Sequence, residues 1–237
     1  HPGHNGSAAL VSDGKLVYYL EEERLTRVKR DGNPFKTMVD IFSNYKIDEL
    51  VIGGINEPKE HNLLPWNWEN PYEALVRKYN PNVKTTFLNH EHHLLHAAGA
   101  FYNSGFTEAI ILIVDGSGSL RYHNYKEELY PPDPIGKEVK AFEAESILVA
   151  KYPNKFTPIY KTLMTNDTFR KREKHEFFDN SITICKAYEA VTQFLGWHPI
   201  EGGKTMGLAP YGKQNPIIPP LFKNGKGNRY LFIPKFP

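Results

Sequence analysis

Six consecutive apolar residues, Ala109-Ile110-Ile111-Leu112-Ile113-Val114, closed by Asp115-Gly116-Ser117-Gly118, constrain the fold of this 237-residue chain more than any other stretch. The run is too short for an ordinary helix and rich in β-branched side chains, so it predicts a strand buried on both faces. Around it the pattern alternates. Residues 50–54 predict a short buried strand, and 85–88 and 145–151 two further strands; helices are predicted over 35–45, from Tyr72, over 92–102 and over 184–195. Near the front, residues 8–11 and 16–20 flank Asp13-Gly14. That is a hairpin signal, because both turn residues tolerate positive φ. Tyr130-Pro131-Pro132-Asp133-Pro134 predicts a loop. Strands interleaved with helices define an α/β fold with a mixed sheet.

Composition narrows the function classes. With 40% hydrophobic and 24% charged residues the chain reads as globular, neither disordered nor fibrous, and long enough for one large domain or two small lobes. A formal net charge of +2 supplies no field of the kind that nucleic acid requires. The basic stretches Arg24-Leu25-Thr26-Arg27-Val28-Lys29-Arg30 and Arg170-Lys171-Arg172-Glu173-Lys174 are local and read first as solvated faces. Cys185 is the single cysteine, which fits a reducing compartment. No apolar run approaches the roughly 20 residues of a membrane span, so a cytoplasmic protein without membrane contact is expected. The chain opens on His1 and closes on a strand-like Leu231-Phe232-Ile233-Pro234. It is expected to be a fragment that lacks a first strand at the front and more of the fold at the back.

Three constellations carry chemistry. His90, His92, His93 and His96 fall close together in a chain of ten histidines. On a helix, His92 and His96 at i and i+4 direct both imidazoles to one point, as a first-row transition metal requires, while His93 points elsewhere. By itself such a pair is more often structural than metal-binding. Asp115 ends a strand and is followed by glycines that admit a ligand to the backbone, a placement common at α/β clefts, but it reads equally as a strand-ending turn. In Pro2-Gly3-His4-Asn5-Gly6-Ser7, the Gly3 and Gly6 amides are open to an anion and His4 suits general-base work near neutrality. The other reading is a hairpin turn with an ordinary exposed histidine. Gly202-Gly203-Lys204 is a flexible turn presenting one ammonium, short of a full P-loop pattern. Trp66, Trp68 and Tyr72 offer either an aromatic face for a sugar or base, or a packed surface loop.

Together these stretches resemble a known family. Gly3-His4-Asn5-Gly6-Ser7-Ala8-Ala9-Leu10, Asp13-Gly14 and Glu21-Glu22-Glu23-Arg24-Leu25-Thr26-Arg27 look like the start of the nodulation and antibiotic-biosynthesis O-carbamoyltransferases. So do His92-His93-Leu94-Leu95-His96-Ala97, then Asp115-Gly116-Ser117-Gly118, and last Gly203-Lys204-Thr205-Met206-Gly207-Leu208-Ala209-Pro210-Tyr211-Gly212. Four motifs in the family's order span most of the chain.

The resemblance implies an actin-like ATPase fold, of the sugar-kinase and Hsp70 kind. Residues 1–237 would be the N-terminal part of it; the remainder and a C-terminal adenylate-forming domain would lie beyond Pro237. It implies transfer of a carbamoyl group from carbamoyl-adenylate, made from carbamoyl phosphate and ATP, to a hydroxyl of a small-molecule or sugar acceptor. His92, His96 and Asp115 match ligands of a divalent transition metal, usually iron as Fe2+, and His4 matches the base that deprotonates the acceptor. In the same frame Gly116, Ser117, Gly118, Gly203 and Lys204 would bind nucleotide or carbamoyl-adenylate, and Asn5, Ser7 and Arg24 the substrate. Ser119 stands where the family often carries a glutamate. The fragment is expected to be inactive alone, nucleic acid is not an expected partner, and a homodimer is compatible with the pattern. The alternatives are a threonylcarbamoyl-transferase relative acting on tRNA and a non-catalytic nucleotide-binding module.

Overall fold

The computed structural model describes residues 4–54, 70–88, 91–124, 138–165, 171–173, 176–179, 183–224 and 232–234. Pro2, Gly3, Trp66, Trp68, His90, Arg170, Lys174, Leu231 and the Tyr130–Pro134 stretch, all singled out above, lie outside the described residues. The chain divides into two compact units, His1–His92 and His93–Pro237.

The first unit begins with the hairpin. Strands β1 (Ser7–Ser12) and β2 (Lys15–Glu21) pair antiparallel around Asp13 and Gly14, whose φ values of 50° and 73° are those an Asp-Gly hairpin turn demands. A five-residue helix α1 (Glu22–Thr26) and helix α2 (Phe35–Asn44) follow. Strand β3 (Glu49–Gly53), helix α3 (Pro71–Tyr79) and strand β4 (Lys84–Leu88) complete the unit, with β3 and β4 parallel. Asn70 caps α3, its side chain accepting from the Tyr72 and Glu73 N–H groups, with Pro71 at the first helical position. The apolar stripe of α2, Met38, Ile41 and Phe42, packs with Ile47, Val76 and Val83. β3 is less buried than its apolar composition suggests: Ile52 faces the core, while Val51 on the opposite face is 54% exposed. Tyr72 is half-buried. Its ring lies 5.2 Å from that of Phe35, its hydroxyl donates to Asn33 Oδ1, and burial raises its pKa.

Glu22 is 2% exposed. Its carboxylate accepts from the Lys36 and Thr37 N–H groups at 2.9 Å each and from the Thr37 hydroxyl at 2.8 Å. The side chain therefore fills the anion position at the start of α2, where Pro34 at the N-cap offers no side-chain bond. Glu22→Ala strips three donors, two of them buried, of a charged acceptor and is expected to cost about 3 kcal/mol of unfolding free energy, measured by urea denaturation.

The second unit is built on a mixed sheet. Helix α4 (His92–Ser104) leads to strands β5 (Glu108–Val114), β6 (Leu120–Asn124), β7 (Glu138–Lys151), β8 (Lys155–Thr165), β9 (Lys171–Glu173) and β10 (Glu176–Asp179). The order is β5-β7-β8-β10-β9 with β6 also on β7; all pairs are antiparallel except β8 with β10. Ala97 and Phe101 of α4 pack on Ile111, Ile113, Leu148 and Ala150. β5 is not buried on both faces: Ile110 is 75% exposed and Leu112 56%. Its apolar run conceals a two-residue alternation, because α4 covers one face only. β7 starts at Glu138, earlier than the apolar pattern indicates, since Lys140, Glu143 and Glu145 interrupt that pattern in a strand held by pairing with β6 and β8.

Helices α5 (Ile184–Phe194) and α6 (Gly202–Leu208) and the short strands β11 (Phe222–Asn224) and β12 (Phe232–Pro234) follow. Thr192 of α5 and Thr205 of α6 are joined by a buried 2.8 Å hydroxyl contact. The predicted Gly202-Gly203-Lys204 turn is thus the first turn of a packed helix. The molecule is a mixed α/β protein with one larger and several two-stranded sheets.

Candidate metal centre

The geometry of the site starts with a mismatch in strand lengths. β5 pairs with β7 as far as Val114↔Glu145, and β6 resumes the same edge at Leu120↔Phe142. Residues 115–119 therefore stand opposite residues 143–144 alone, and the excess is thrown out as a loop. Four hydrogen bonds stitch it down. The Asp115 N–H donates to the Ala144 carbonyl at 2.9 Å, and the Gly118 N–H to the Glu143 carbonyl at 2.7 Å. The Glu143 N–H donates to the Ser119 carbonyl at 3.2 Å, and the Ser119 N–H to Glu143 Oε2 at 3.1 Å. β7 is itself irregular between Glu143 and Glu145, the kind of bulge that re-aims side chains beside functional sites.

Against this loop α4 presents its first turn. One ligand atom from each of His92, His96 and Asp115 lies within 4.8 Å of the other two. Nitrogen and oxygen ligands sit about 2.0–2.2 Å from a divalent ion, so the three atoms span close to what a single ion needs. Two imidazoles and one carboxylate suit zinc, iron or a related transition metal. His96 is exposed and His92 and Asp115 are half-buried, which leaves an approach from solvent.

His93, expected to point elsewhere, turns toward the sheet. It is 2% exposed, with Nδ1 2.7 Å from Ser146 Oγ and Nε2 3.8 Å from Asp115 Oδ2. Gly118 closes over the ring: a Cβ there would stand 2.6 Å from His93 Nε2 and 2.8 Å from Glu143 Cβ. Only glycine fits. Beneath the loop, the ammonium of Lys161 meets the buried Glu143 carboxylate.

The start of α5 flanks the loop. Thr183 caps it through the Lys186 N–H, and the Ile184 N–H donates to Glu145 Oε1 at 3.1 Å. Burial raises the Glu145 pKa, with the Ile184 N–H and the Thr162 hydroxyl pulling the other way. Glu189 Oε1 would lie 3.0 Å from a Cβ on Gly116, and Lys186 pairs with Glu189 at 2.7 Å. Cys185 is pushed up to about 11 by burial and by the charges of Asp115, Glu145 and Glu189. It is a thiol, not a thiolate, at neutral pH. An alkylating reagent at pH 8 should label Cys185 roughly 100-fold more slowly than an ordinary exposed cysteine, and the rate should keep rising as pH approaches 11. Labelling at the ordinary rate would show that the thiol is not so placed.

The remaining predicted residues fall into three groups. Gly116, Ser117 and Gly118 form the loop beside Asp115. Gly203 and Lys204 lie in α6, where Lys204 Nζ pairs with Glu201 at 2.8 Å and stands 6.0 Å from the Trp197 ring centroid; this ammonium is held, not presented by a flexible turn. His4, Asn5, Ser7 and Arg24 belong to the first unit. His4 is exposed with Nδ1 3.3 Å from Asn5 Oδ1, and Asn5 has φ 59°. Ser7 opens β1, and Arg24 faces Glu21 and Glu23 at 3.6 Å each. The Gly6 amide is not open to an anion: it donates to the Asp31 carbonyl at 2.7 Å. A Cβ on Gly6 would lie 2.6 Å from the Gly32 carbonyl carbon, so this glycine permits a close backbone crossing.

Ser146, Glu143 and Lys161 escaped the sequence reading. Charged residues in a strand signal special surroundings, but no spacing rule pairs residue 143 with 161 or 93 with 146.

A strand-end carboxylate beside an i, i+4 histidine pair defines a candidate metal centre in a mixed α/β chain. Comparison supplies the family. The family model for the carbamoyltransferase N-terminus matches residues 68–232, and the chain belongs to that family. Nodulation protein NolNO of Sinorhizobium fredii is 23% identical over 90% of this chain and 28% of its own length. Protein sll1178 of Synechocystis sp. is 27% identical over 89% and 33% respectively. Protein MJ1058 of Methanocaldococcus jannaschii is 28% identical over 87% and 30%. The chain spans about a third or less of the length of these relatives. No solved structure matches it. Among the described residues no helix is long and apolar enough to cross a membrane.

Proposed function

We propose that this chain is the N-terminal part of an actin-like domain in a cytoplasmic, metal-dependent O-carbamoyltransferase. The observation that carries the reading is the meeting of His92, His96 and Asp115 in a chain of the carbamoyltransferase family. The donor from which the carbamoyl group moves is carbamoyl-adenylate, formed from carbamoyl phosphate and ATP by a C-terminal domain of the whole protein.

His92, His96 and Asp115 hold a divalent metal, Fe2+ by preference, which when bound supplies Lewis-acid polarisation. Gly116 and Ser117 admit the adenylate to the backbone, and Gly118, closed over His93, shapes the loop that receives it. His4 takes the acceptor's hydroxyl proton, its imidazole being suited to proton transfer near neutrality. The acceptor oxygen then bonds to the carbamoyl carbon as the bond to the adenylate phosphate oxygen breaks, and AMP leaves. Asn5, Ser7 and Arg24 bind the acceptor, a small molecule or sugar. Gly203 and Lys204 meet a phosphate of the adenylate, the Lys204 ammonium having three donors of which Glu201 takes one.

The test gives full-length protein carbamoyl phosphate, ATP and a panel of alcohols and sugars, and follows product mass with pyrophosphate and AMP. A carbamate on one acceptor is expected. Product on tRNA alone would move the protein to threonylcarbamoyl-type chemistry. Metal retention with neither pyrophosphate nor AMP released would favour a non-catalytic module.

A further inference from the structure

We infer that His93 is a positioning residue that fixes the carboxylate of Asp115 for metal binding, an inference that rests on the metal reading above. Three observations converge on it. The ring is buried although it sits beside the exposed His96 on the same helix. Its two nitrogens face two polar groups, Ser146 Oγ on β7 at 2.7 Å and Asp115 Oδ2 on the loop after β5 at 3.8 Å. Its edge lies against the bare Cα of Gly118, where no other residue fits.

The chemistry of a neutral imidazole assigns the roles. One nitrogen donates and the other accepts. With the Ser146 hydroxyl donating to Nδ1, the ring's N–H sits on Nε2 and faces Asp115. An N–H on Nε2, 3.8 Å from Oδ2, favours by electrostatic attraction the carboxylate rotamer that turns this oxygen to the ring, and losing an outer partner of a ligand typically weakens metal binding 10–100-fold. Asp115 needs the support. Its loop is surplus chain between β5 and β6; the Gly116 N–H donates to Asp115 Oδ1 at 2.7 Å, and His93 faces the other carboxylate oxygen, so the two oxygens are addressed from opposite sides. His93 shares a helical turn with His92 and His96, so one rigid element delivers two ligands and orients the third.

The experiment measures Co2+ affinity and the Co2+ visible spectrum of the full-length protein. His93→Leu, which keeps apolar bulk, is expected to raise the Kd roughly 10- to 100-fold and to shift the spectrum. His93→Gln, which returns an amide N–H near the Nε2 position, should recover most of the affinity and the wild-type spectrum. A wild-type Kd and spectrum in His93→Leu overturns the inference. So does an equal loss in both variants accompanied by a lower unfolding temperature of the metal-free proteins, since that pattern is packing alone. If His93→Leu does not fold, Ser146→Ala decides: weaker Co2+ binding supports the inference and an unchanged Kd overturns it. Wild-type protein that takes up no Co2+ overturns the metal reading itself, and this inference with it.

Discussion

A His96→Ala variant of the full-length protein is expected to lose its stoichiometric metal and its carbamoyl transfer while unfolding at the wild-type temperature when both proteins are metal-free. The reasoning is one of burial. His96 is exposed, and truncating an exposed side chain usually changes stability by no more than about 0.5 kcal/mol. Yet it is one of the three groups that converge among the described residues. Losing an outer partner of a ligand already costs 10–100-fold in affinity, so losing a ligand should cost at least about 100-fold. Metal analysis after desalting, beside a thermal melt of the apo proteins, reads both quantities. Unchanged metal content would refute the assignment of His92, His96 and Asp115.

Lys161→Met should have the opposite profile, a large loss of stability. The Lys161 side chain is 10% exposed and that of Glu143 1%. Removing one member of a buried ion pair leaves the other charge in a poor solvent, which typically costs about 3–5 kcal/mol. Glu143 also receives the Ser119 N–H and brackets the Asp115 loop through its own backbone, so the damage should reach the metal centre and weaken binding there. The double variant Glu143→Gln/Lys161→Met removes both charges and should regain a good part of the stability. Chemical denaturation of the wild type, Lys161→Met, Glu143→Gln and the double variant gives the coupling. A double variant no better than Lys161→Met would mean that the pair contributes through packing and not through charge.

These two predictions fall on either side of what the sequence reveals. His96 was legible because a helix imposes its own geometry: residues four apart share a face whatever else the chain does. The Asp13-Gly14 hairpin was legible for the same reason, since its backbone angles are a local matter of two residues. Asp115 was legible as the end of an apolar run followed by glycines. The partial exposure of β5 was not, because an unbroken run of Ala, Ile, Leu and Val has no polar alternation to show that α4 covers only one face. Gly202 and Gly203 pointed to a loop, as glycine pairs usually do, and were overruled by packing between α5 and α6. Glu22 is one of three consecutive glutamates, with nothing local to set it apart; folding makes it the buried anion at the start of α2.

By itself, then, the sequence determined the front hairpin, helices α2 to α5, strands β3 to β5 and part of β7, the helical pairing of His92 with His96 and, through four ordered motifs, the carbamoyltransferase family. These depend on short-range periodicity and on residue identity, and both survive in one dimension. Only the tertiary structure decided that Asp115 meets those histidines, that His93 turns inward against Ser146, and that Glu143 with Lys161 anchors the loop between. Each of those contacts is set by how β5 and β6 share one edge of β7. Register between strands distant in sequence is fixed by collective packing and hydrogen bonding, which no local pattern records.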